Sequence, residues 1–164
     1  GDTSVHEYPT SEQMAEIAIS TARVVRLFGF EPKVAFVSHS TFGQPLTSRT
    51  KHIRKAVDIL KEKKVNFEFD GDMQPDVALN SEYEELYPFS KIVGKANILI
   101  MPGQHSAAIS YKMMKTLGDT KVIGPLLIGI GLPIEIAPLR SSTSEIINLA
   151  SIAAYSADVI DYKK

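Results

Sequence analysis

The sequence contains no cysteine and no tryptophan. The lack of cysteine excludes disulfides, thiol nucleophiles and iron–sulfur clusters, and it favours a reducing compartment such as the cytoplasm. No apolar run reaches the ~18 residues of a membrane-spanning helix, and the opening residues hold no signal-peptide core. Lysine and arginine number 18 against 19 acids, so the basic face that nucleic-acid binding needs is not expected. We therefore predict a cytoplasmic protein with no membrane partner and no nucleic-acid partner.

The chain has 164 residues, which is the length of one ordinary domain. Hydrophobic residues make up 44% and charged residues 23% of it, a composition that excludes a largely disordered protein. The first ten residues are polar and begin with glycine. We predict that residues 1–10 are a linker or the cut edge of a longer chain, and that residues 11–164 form one domain.

The first helix is predicted from Ser11 to Phe28, because apolar residues recur there at spacings of three and four. Thr10 and Gln13 have the spacing of a capping box, and Gly29 stands where a left-handed residue ends a helix. The same signals predict a second helix after Thr50 and short helices at Pro75–Leu79 and Glu82–Leu86. They also predict a helix that ends at Gly118. The last helix is predicted to begin at Ser142, with Glu145 completing its capping box.

Strands are predicted between these helices. The clearest are Lys33–Ser38, Val65–Phe69 and Ala96–Met101, and two further apolar runs cover Val122–Ile128 and Pro133–Ala137. Alternation of helices and strands implies right-handed crossovers and a mostly parallel sheet. The predicted fold class is therefore α/β, a three-layer αβα sandwich.

Ligands of an open parallel sheet bind outside the carboxyl ends of its strands. The loop after the first strand offers Ser38, Ser40, Thr41 and Gly43, whose hydroxyls and backbone amides suit a phosphate or carbonyl oxygen. The alternative is a turn whose small polar side chains satisfy its own backbone. The segments Asp70–Met73, Pro102–Ser106 and Pro138–Ser142 are the other predicted strand-end loops.

The loop before the last helix carries Arg140 and Ser141. A helix N-terminus attracts anions, and the planar guanidinium group of arginine suits a phosphate or carboxylate. The alternative is a surface arginine paired with any nearby acid. Ser106 opens the helix after the third strand, beside His105, for which the sequence suggests no orienting carboxylate.

Other candidate motifs point to no site. The histidines have no metal-ligand spacing, so no metal is expected. Asp70, Asp72 and Asp76 match neither a calcium loop nor a glycosidase pair, and we assign them to turns and caps. The pair Gly129 and Gly131 lacks the third glycine of a dinucleotide-binding loop.

Three linked motifs resemble phosphotransacetylases, members of the phosphate acetyl/butyryl transferase family. Phe69–Ala78 resembles the family's D-G-E-x-Q-x-D-A-A segment, and Ala96–Pro102, followed by Ser106 and Lys112, resembles its A-N-x-L-x-x-P…I-A-Y-K segment. Val122–Gly129 resembles its I-G-P-x-L-x-G segment. The sequence of Glu31–Gly43 is most similar to the phosphotransacetylase-like C-terminal domain of bacterial NADP-dependent malic enzymes. This chain would be the second half of that domain.

The resemblance implies a particular function. The parent enzyme would oxidatively decarboxylate malate to pyruvate, with NADP and a divalent metal bound only in a malic-enzyme region that this sequence does not contain. The present chain would carry no cofactor, would bind acetyl-CoA or a related acyl phosphate or CoA ligand as an effector, and would form a homodimer or a higher homo-oligomer. Its binding residues would be Arg140, Ser38, Ser40, Thr41, Gly43, Ser106 and Ser141.

Departures from the family pattern imply lost catalysis. The serine that precedes the family's arginine is Leu139 here, and the family's aspartate position falls near Ile146. The loss of one oxyanion donor alone costs ~10²–10³ in rate, so the resemblance implies a domain with no catalytic residues. Two alternatives stay open: an active phosphate acetyltransferase lobe, and a structural dimerisation module.

Overall fold

The computed structural model describes residues 1–118 and 121–159, so the predicted domain end at residue 164 lies outside the described residues. The chain divides into two compact units, Gly1–Lys112 and Met113–Lys164. The element order is α1 (Ser11–Leu27), β1 (Lys33–Val37), α2 (Ser48–Glu62), β2 (Glu68–Met73), α3 (Pro75–Leu79), a 3₁₀ segment (Ser81–Glu85), β3 (Ile98–Ile100), α4 (Gln104–Leu117) and α5 (Thr143–Val159).

Local signals fix the ends of α1. The Gln13 amide donates to the Thr10 hydroxyl at 3.2 Å, and the Gln13 side chain accepts from the Thr10 amide at 2.8 Å, which confirms the predicted capping box. After the helix, Gly29 has a φ of +82°, as predicted for a residue that ends a helix in the left-handed region. The predicted short helices are also present, as α3 and the 3₁₀ segment.

The sheet has three parallel strands in the order β2-β1-β3, which confirms the predicted α/β class. Strand β1 is central, and its side chains are buried on both faces of the sheet, as its unbroken apolar run predicts. Its pairing with β2 shifts after Phe36, where Phe36 faces Gly71 but Val37 faces Met73. Asp72 is thus the extra residue of a β-bulge, a feature that re-aims side chains at the end of a strand.

Both faces of the sheet are covered. On one face, α1 and α2 enclose the larger core, whose fully buried members include Phe36, Met14, Ile53, Leu60 and Ile100. On the other face, a smaller cluster joins Ala35 and Met73 to Ala78 of α3 and to Ile92 and Ala96. These layers match the predicted sandwich.

Three predicted strands differ from the structure. Strand β2 does not cover Val65–Phe69 but runs from Glu68 to Met73, so Asp70–Met73 is strand and not loop. Buried polar side chains explain the error, because Asp70 accepts hydrogen bonds from the Gly71 and Lys91 amides inside the fold. Neither Val122–Ile128 nor Pro133–Ala137 forms a strand.

The second unit contains α5 and exposes many apolar side chains. Ser142 and Glu145 form the predicted cap of α5, with hydrogen bonds of 2.8 and 3.3 Å between them. Among the described residues of this unit, Leu149 is the one hydrophobic residue that is buried. In the described ranges, no helix combines the length and the apolar character needed to cross a membrane.

Candidate functional site

The loop Ser38–Gly43 leaves the carboxyl end of β1 and is tied to the end of β2. The Ser38 amide donates to the Met73 carbonyl at 2.9 Å, and the Phe42 amide donates to the Asp72 carbonyl at 2.6 Å. The Gln74 amide donates to the Thr41 hydroxyl at 3.2 Å. Because these bonds join the loop to β2 along its length, the loop has one defined conformation at the edge of the sheet where ligands are expected.

Ser40 and Asp72 form a hydrogen-bonded pair in the interior below this loop. Both residues are completely buried, and the Ser40 hydroxyl donates to Oδ2 of Asp72. The other carboxylate oxygen, Oδ1 of Asp72, is buried and has no partner among the described residues. A buried carboxylate is costly unless it is hydrogen-bonded, so the Ser40 hydroxyl is what makes this position tolerable for Asp72.

The remaining predicted residues of the loop, Ser38, Thr41 and Gly43, are also buried. Ser38 is 7% exposed and Thr41 is 8% exposed. A Cβ atom at Gly43 would lie 2.5 Å from Nη1 of Arg54, and the same nitrogen donates to the Phe42 carbonyl at 3.1 Å. Gly43, with a φ of +81°, therefore lets the Arg54 guanidinium group lie directly against the loop backbone.

Ser106 lies in the first turn of α4, the helix that follows β3. Its hydroxyl donates to the Gly103 carbonyl at 2.9 Å, within the first turn of α4. The adjacent His105 lies 4.0 Å from the Glu7 carboxylate. Both side chains are largely exposed, so this distant contact does not orient the ring, and the interpretation of His105 as a solvated histidine stands.

Arg140 and Ser141 lie together in the second unit, immediately before α5. Arg140 is exposed and forms no hydrogen bond or ion pair with another described residue. The Ser141 amide donates to the Pro138 carbonyl at 3.0 Å, while the Ser141 hydroxyl oxygen is buried and unpartnered within the described ranges. Leu139, directly before Arg140, is fully exposed at 103%.

The N-terminus of α5 already has a negative group. The Glu145 carboxylate accepts from the Ser142 amide at 2.8 Å and from Lys115 at 2.7 Å. The Lys115 hydrogen bond, followed by the bonds from Ser142, lowers the pKa of Glu145 from 4.5 to about 2. Because Glu145 is ionised and faces this helix end, the guanidinium group of Arg140 is the better anion-binding group of the segment.

A family model described as phosphate acetyl/butaryl transferase matches residues 1–154. The chain belongs to this family. The predicted resemblance is therefore confirmed, and the match includes the first ten residues as well as the strand-end loops.

Relatives of this phosphate acetyl/butyryl transferase domain fall into two groups. The NADP-dependent malic enzyme of Rhizobium meliloti is 48% identical over 156 residues, covering 95% of this chain and 20% of the relative. The phosphate acetyltransferase of Bacillus subtilis is 35% identical over 157 residues, covering 95% and 49%. The crystal structure of a Streptococcus pyogenes phosphotransacetylase has a TM-score of 0.90 at 33% identity, covering 96% and 48%. The chain thus spans about a fifth or about half of these relatives' length.

Sequence reasoning missed two residues, one in β2 and one in α2, that support the loop Ser38–Gly43 of this family domain. Asp72 was assigned to a turn or cap, yet it is buried and bonded to Ser40. Arg54 was not singled out as a candidate, and its exposed guanidinium group on α2 donates to the Phe42 carbonyl. Neither residue has a diagnostic spacing. Within the described residues, no cluster of three or more potential metal ligands is present.

The pKa of Glu145 predicts a pH-dependent α5. Its folded pKa, about 2, lies below the ordinary value of 4.5, so its stabilising contribution is complete above about pH 4.5 and is lost as pH falls toward 2. We expect the amide-exchange protection factors of α5, which are corrected for the pH dependence of the intrinsic exchange rate, to fall across this range. The matched variant Glu145→Gln should exchange faster at neutral pH and show a flatter pH profile; an identical profile in both proteins would contradict the assignment.

Proposed function

We propose that this chain is the acetyl-CoA-sensing part of an NADP-dependent malic enzyme and has no transferase turnover of its own. Support comes from the 48% identity to a malic enzyme, which exceeds the 35% identity to a phosphate acetyltransferase. In this proposal, malate decarboxylation, NADP and a divalent metal belong to the rest of the parent enzyme. This chain holds the effector.

One observation carries the proposal: Arg140, which has no ion-pair partner among the described residues, directly follows the hydrocarbon side chain of Leu139, where the family resemblance implies a hydroxyl. Arg140 is exposed, and Leu139 presents its whole side chain to solvent. An exposed guanidinium group can still bind a phosphate or thioester oxygen. Leucine, by contrast, has no donor for a developing oxyanion, so binding is retained while the chemical step loses its support. At the family's aspartate position, the side chain of Ile146 cannot act as an acid or a base, and the carboxylate of the adjacent Glu145 is bonded to Ser142 and Lys115.

Regulation requires that the effector distinguish two states of the parent enzyme. A ligand with equal affinity for both states shifts neither, so acetyl-CoA must bind one arrangement more tightly. The tightly hydrogen-bonded Ser38–Gly43 loop holds the proposed contact groups in fixed positions, which lowers the entropic cost of ordering them when the effector binds. In the first unit, the proposed contacts to acetyl-CoA are Ser38, Thr41, Gly43 and Ser106. Ser40 lies buried beneath the loop and supports it.

We also propose that the second unit is covered by a second copy of the chain, giving a homodimer or a higher homo-oligomer in the cytoplasm. The support is the exposed apolar surface of α5 and the segment before it. Ile146, Ile147 and Tyr155 are each about half exposed on α5. Apolar surface of this extent on a single chain favours an interaction site.

Replacement of Arg140 by alanine is expected to weaken acetyl-CoA binding roughly 10- to 100-fold, because hydrogen bonds to a charged group contribute about 1.5–3 kcal/mol. Isothermal titration calorimetry of the full chain measures this change. Arg23→Ala is the matched control, since Arg23 is also exposed but lies on α1. Equal affinities of wild type and Arg140→Ala would remove Arg140 from the site.

The active-transferase alternative is favoured by the match to phosphate acetyltransferases. An assay for acetyl phosphate formed from acetyl-CoA and phosphate separates the two functions. We expect no turnover above background, and robust turnover would overturn the sensing proposal. If the calorimetric titration shows no saturable binding at all, the structural dimerisation role is favoured instead.

A further inference from the structure

Three aromatic rings meet beside the loop Ser38–Gly43. The ring of Phe42 lies 5.4 Å from that of Tyr87 and 4.8 Å from that of Phe89, and Tyr87 and Phe89 are 6.1 Å apart. The rings are tilted or edge-to-face, which is a favoured arrangement of aromatic pairs. Phe42 contacts the smaller core, whereas Phe89 is 63% exposed. The cluster is therefore anchored at one end and open to solvent at the other.

The inner ring is held firmly in place. Phe42 has a φ of +49°, which is rare for a bulky residue. Its amide is bonded to the Asp72 carbonyl of β2, and its carbonyl is bonded to Arg54 of α2. A backbone fixed from two elements gives the cluster a rigid base, so little order has to be gained when a flat group stacks on the exposed ring.

A basic surface on α2 lies next to the rings, because Arg54 of this helix contacts the backbone of Phe42. The first half of α2 carries four cations and no acid before Asp58, and Lys51 lies one turn before Arg54 and Lys55 on the same face. Lys55 is paired with Glu12. Lys51 is exposed and has no ion pair within the described residues. On the other side, Tyr87 follows the acidic Ser81–Glu85 segment, so a polyanion would be drawn toward α2.

We propose that Phe42, Tyr87 and Phe89 form a stacking surface for the purine base of a nucleotide-bearing ligand, whose phosphates contact Lys51 and Arg54. Base stacking on aromatic side chains and cationic contacts to phosphates are a common pairing in nucleotide recognition. This inference rests on the proposed function, because acyl-CoA carries adenine and phosphates at the end opposite its thioester. The ring cluster thus serves the nucleotide end of the ligand.

The test uses Phe89→Ala in the full chain, titrated by calorimetry with acetyl-CoA and with S-acetylpantetheine, which lacks the nucleotide. We expect about tenfold weaker acetyl-CoA binding and unchanged acetylpantetheine binding. Phe30→Ala is the matched control, because Phe30 is 64% exposed but follows α1, and it should change neither affinity. Lys51→Ala should reduce the salt dependence of acetyl-CoA binding. Unchanged melting temperatures confirm that the variants are folded.

Two failures are distinguishable. If wild type binds acetyl-CoA and Phe89→Ala binds it equally well, or if acetylpantetheine binding falls by the same factor, the stacking surface is overturned while the sensing function stands. If wild type does not bind acetyl-CoA, the sensing function fails. Titration with adenosine 3′,5′-bisphosphate then tests nucleotide binding by the ring cluster, independently of the sensing function. Weaker binding of this probe by Phe89→Ala supports the inference, and no binding or equal binding overturns it.

Discussion

Replacing Ser40 with alanine is expected to lower the free energy of unfolding by about 3 kcal/mol or more. The hydroxyl of Ser40 is the hydrogen-bond partner of the buried Asp72 side chain among the described residues. Its removal leaves both oxygens of a completely buried carboxylate unpaired, and an unpaired buried charged group costs more than the ordinary 1–3 kcal/mol of a lost partner. Urea unfolding followed by circular dichroism measures the change.

Two variants test the origin of this effect. Ser38→Ala is the matched control from the same loop, because the Ser38 hydroxyl only accepts a long, 3.4 Å bond from the Ser40 amide; it should cost under about 1 kcal/mol. In the Ser40→Ala background, Asp72→Asn should restore about half of the lost stability, since a neutral amide is cheaper to bury than a carboxylate. No restoration would show that the loss does not come from the Asp72 charge.

Replacing Gly71 with alanine is expected to cost more than about 3 kcal/mol and to abolish cooperative unfolding. The new Cβ atom would lie 2.7 Å from the Cβ of Phe36 and 2.8 Å from its carbonyl oxygen. Neither atom is the end of a flexible side chain, because Phe36 is completely buried in the central strand. Crowding of a packed core and a φ of +153°, which side chains disfavour, add to one another.

Gly29→Ala separates backbone strain from crowding. Gly29 also has a left-handed φ, +82°, but no atom lies within 4 Å of its added Cβ. Its cost should be about 1 kcal/mol, which is the conformational penalty alone. Thermal unfolding of both variants gives the comparison, and a Gly71→Ala protein as stable as Gly29→Ala would contradict the close approach of β1 and β2.

Local signals in the sequence predicted the elements that are determined locally. The capping boxes that begin α1 and α5 and the left-handed Gly29 depend on residues within one turn of each other. Strand β1 was predicted because a central strand needs apolar side chains on both faces. The order of these elements was sufficient for the fold class.

Elements that depend on distant partners were harder to predict. The polar run Asp70–Asp72 suggested a loop, but its carboxylates are hydrogen-bonded to Lys91 and Ser40. Because these partners are distant in the sequence, no local pattern indicates the pairing. The apolar runs after residue 121 suggested strands, yet a strand also needs a neighbour to pair with, and hydrophobicity alone does not supply one. The first loop of the site was predicted, whereas its support by Asp72 and Arg54 was not.

The central place of β1 has a consequence for how the protein is made. Its partners β2 and β3 both follow it in the chain, separated from it by helices and loops. A ribosome adds about 5–20 residues per second, so β1, with its apolar side chains and its unpaired backbone N–H and C=O groups, is synthesised seconds before either neighbouring strand. During that interval the nascent segment is open to association with other chains, and shielding by chaperones would matter most between the synthesis of β1 and that of β3.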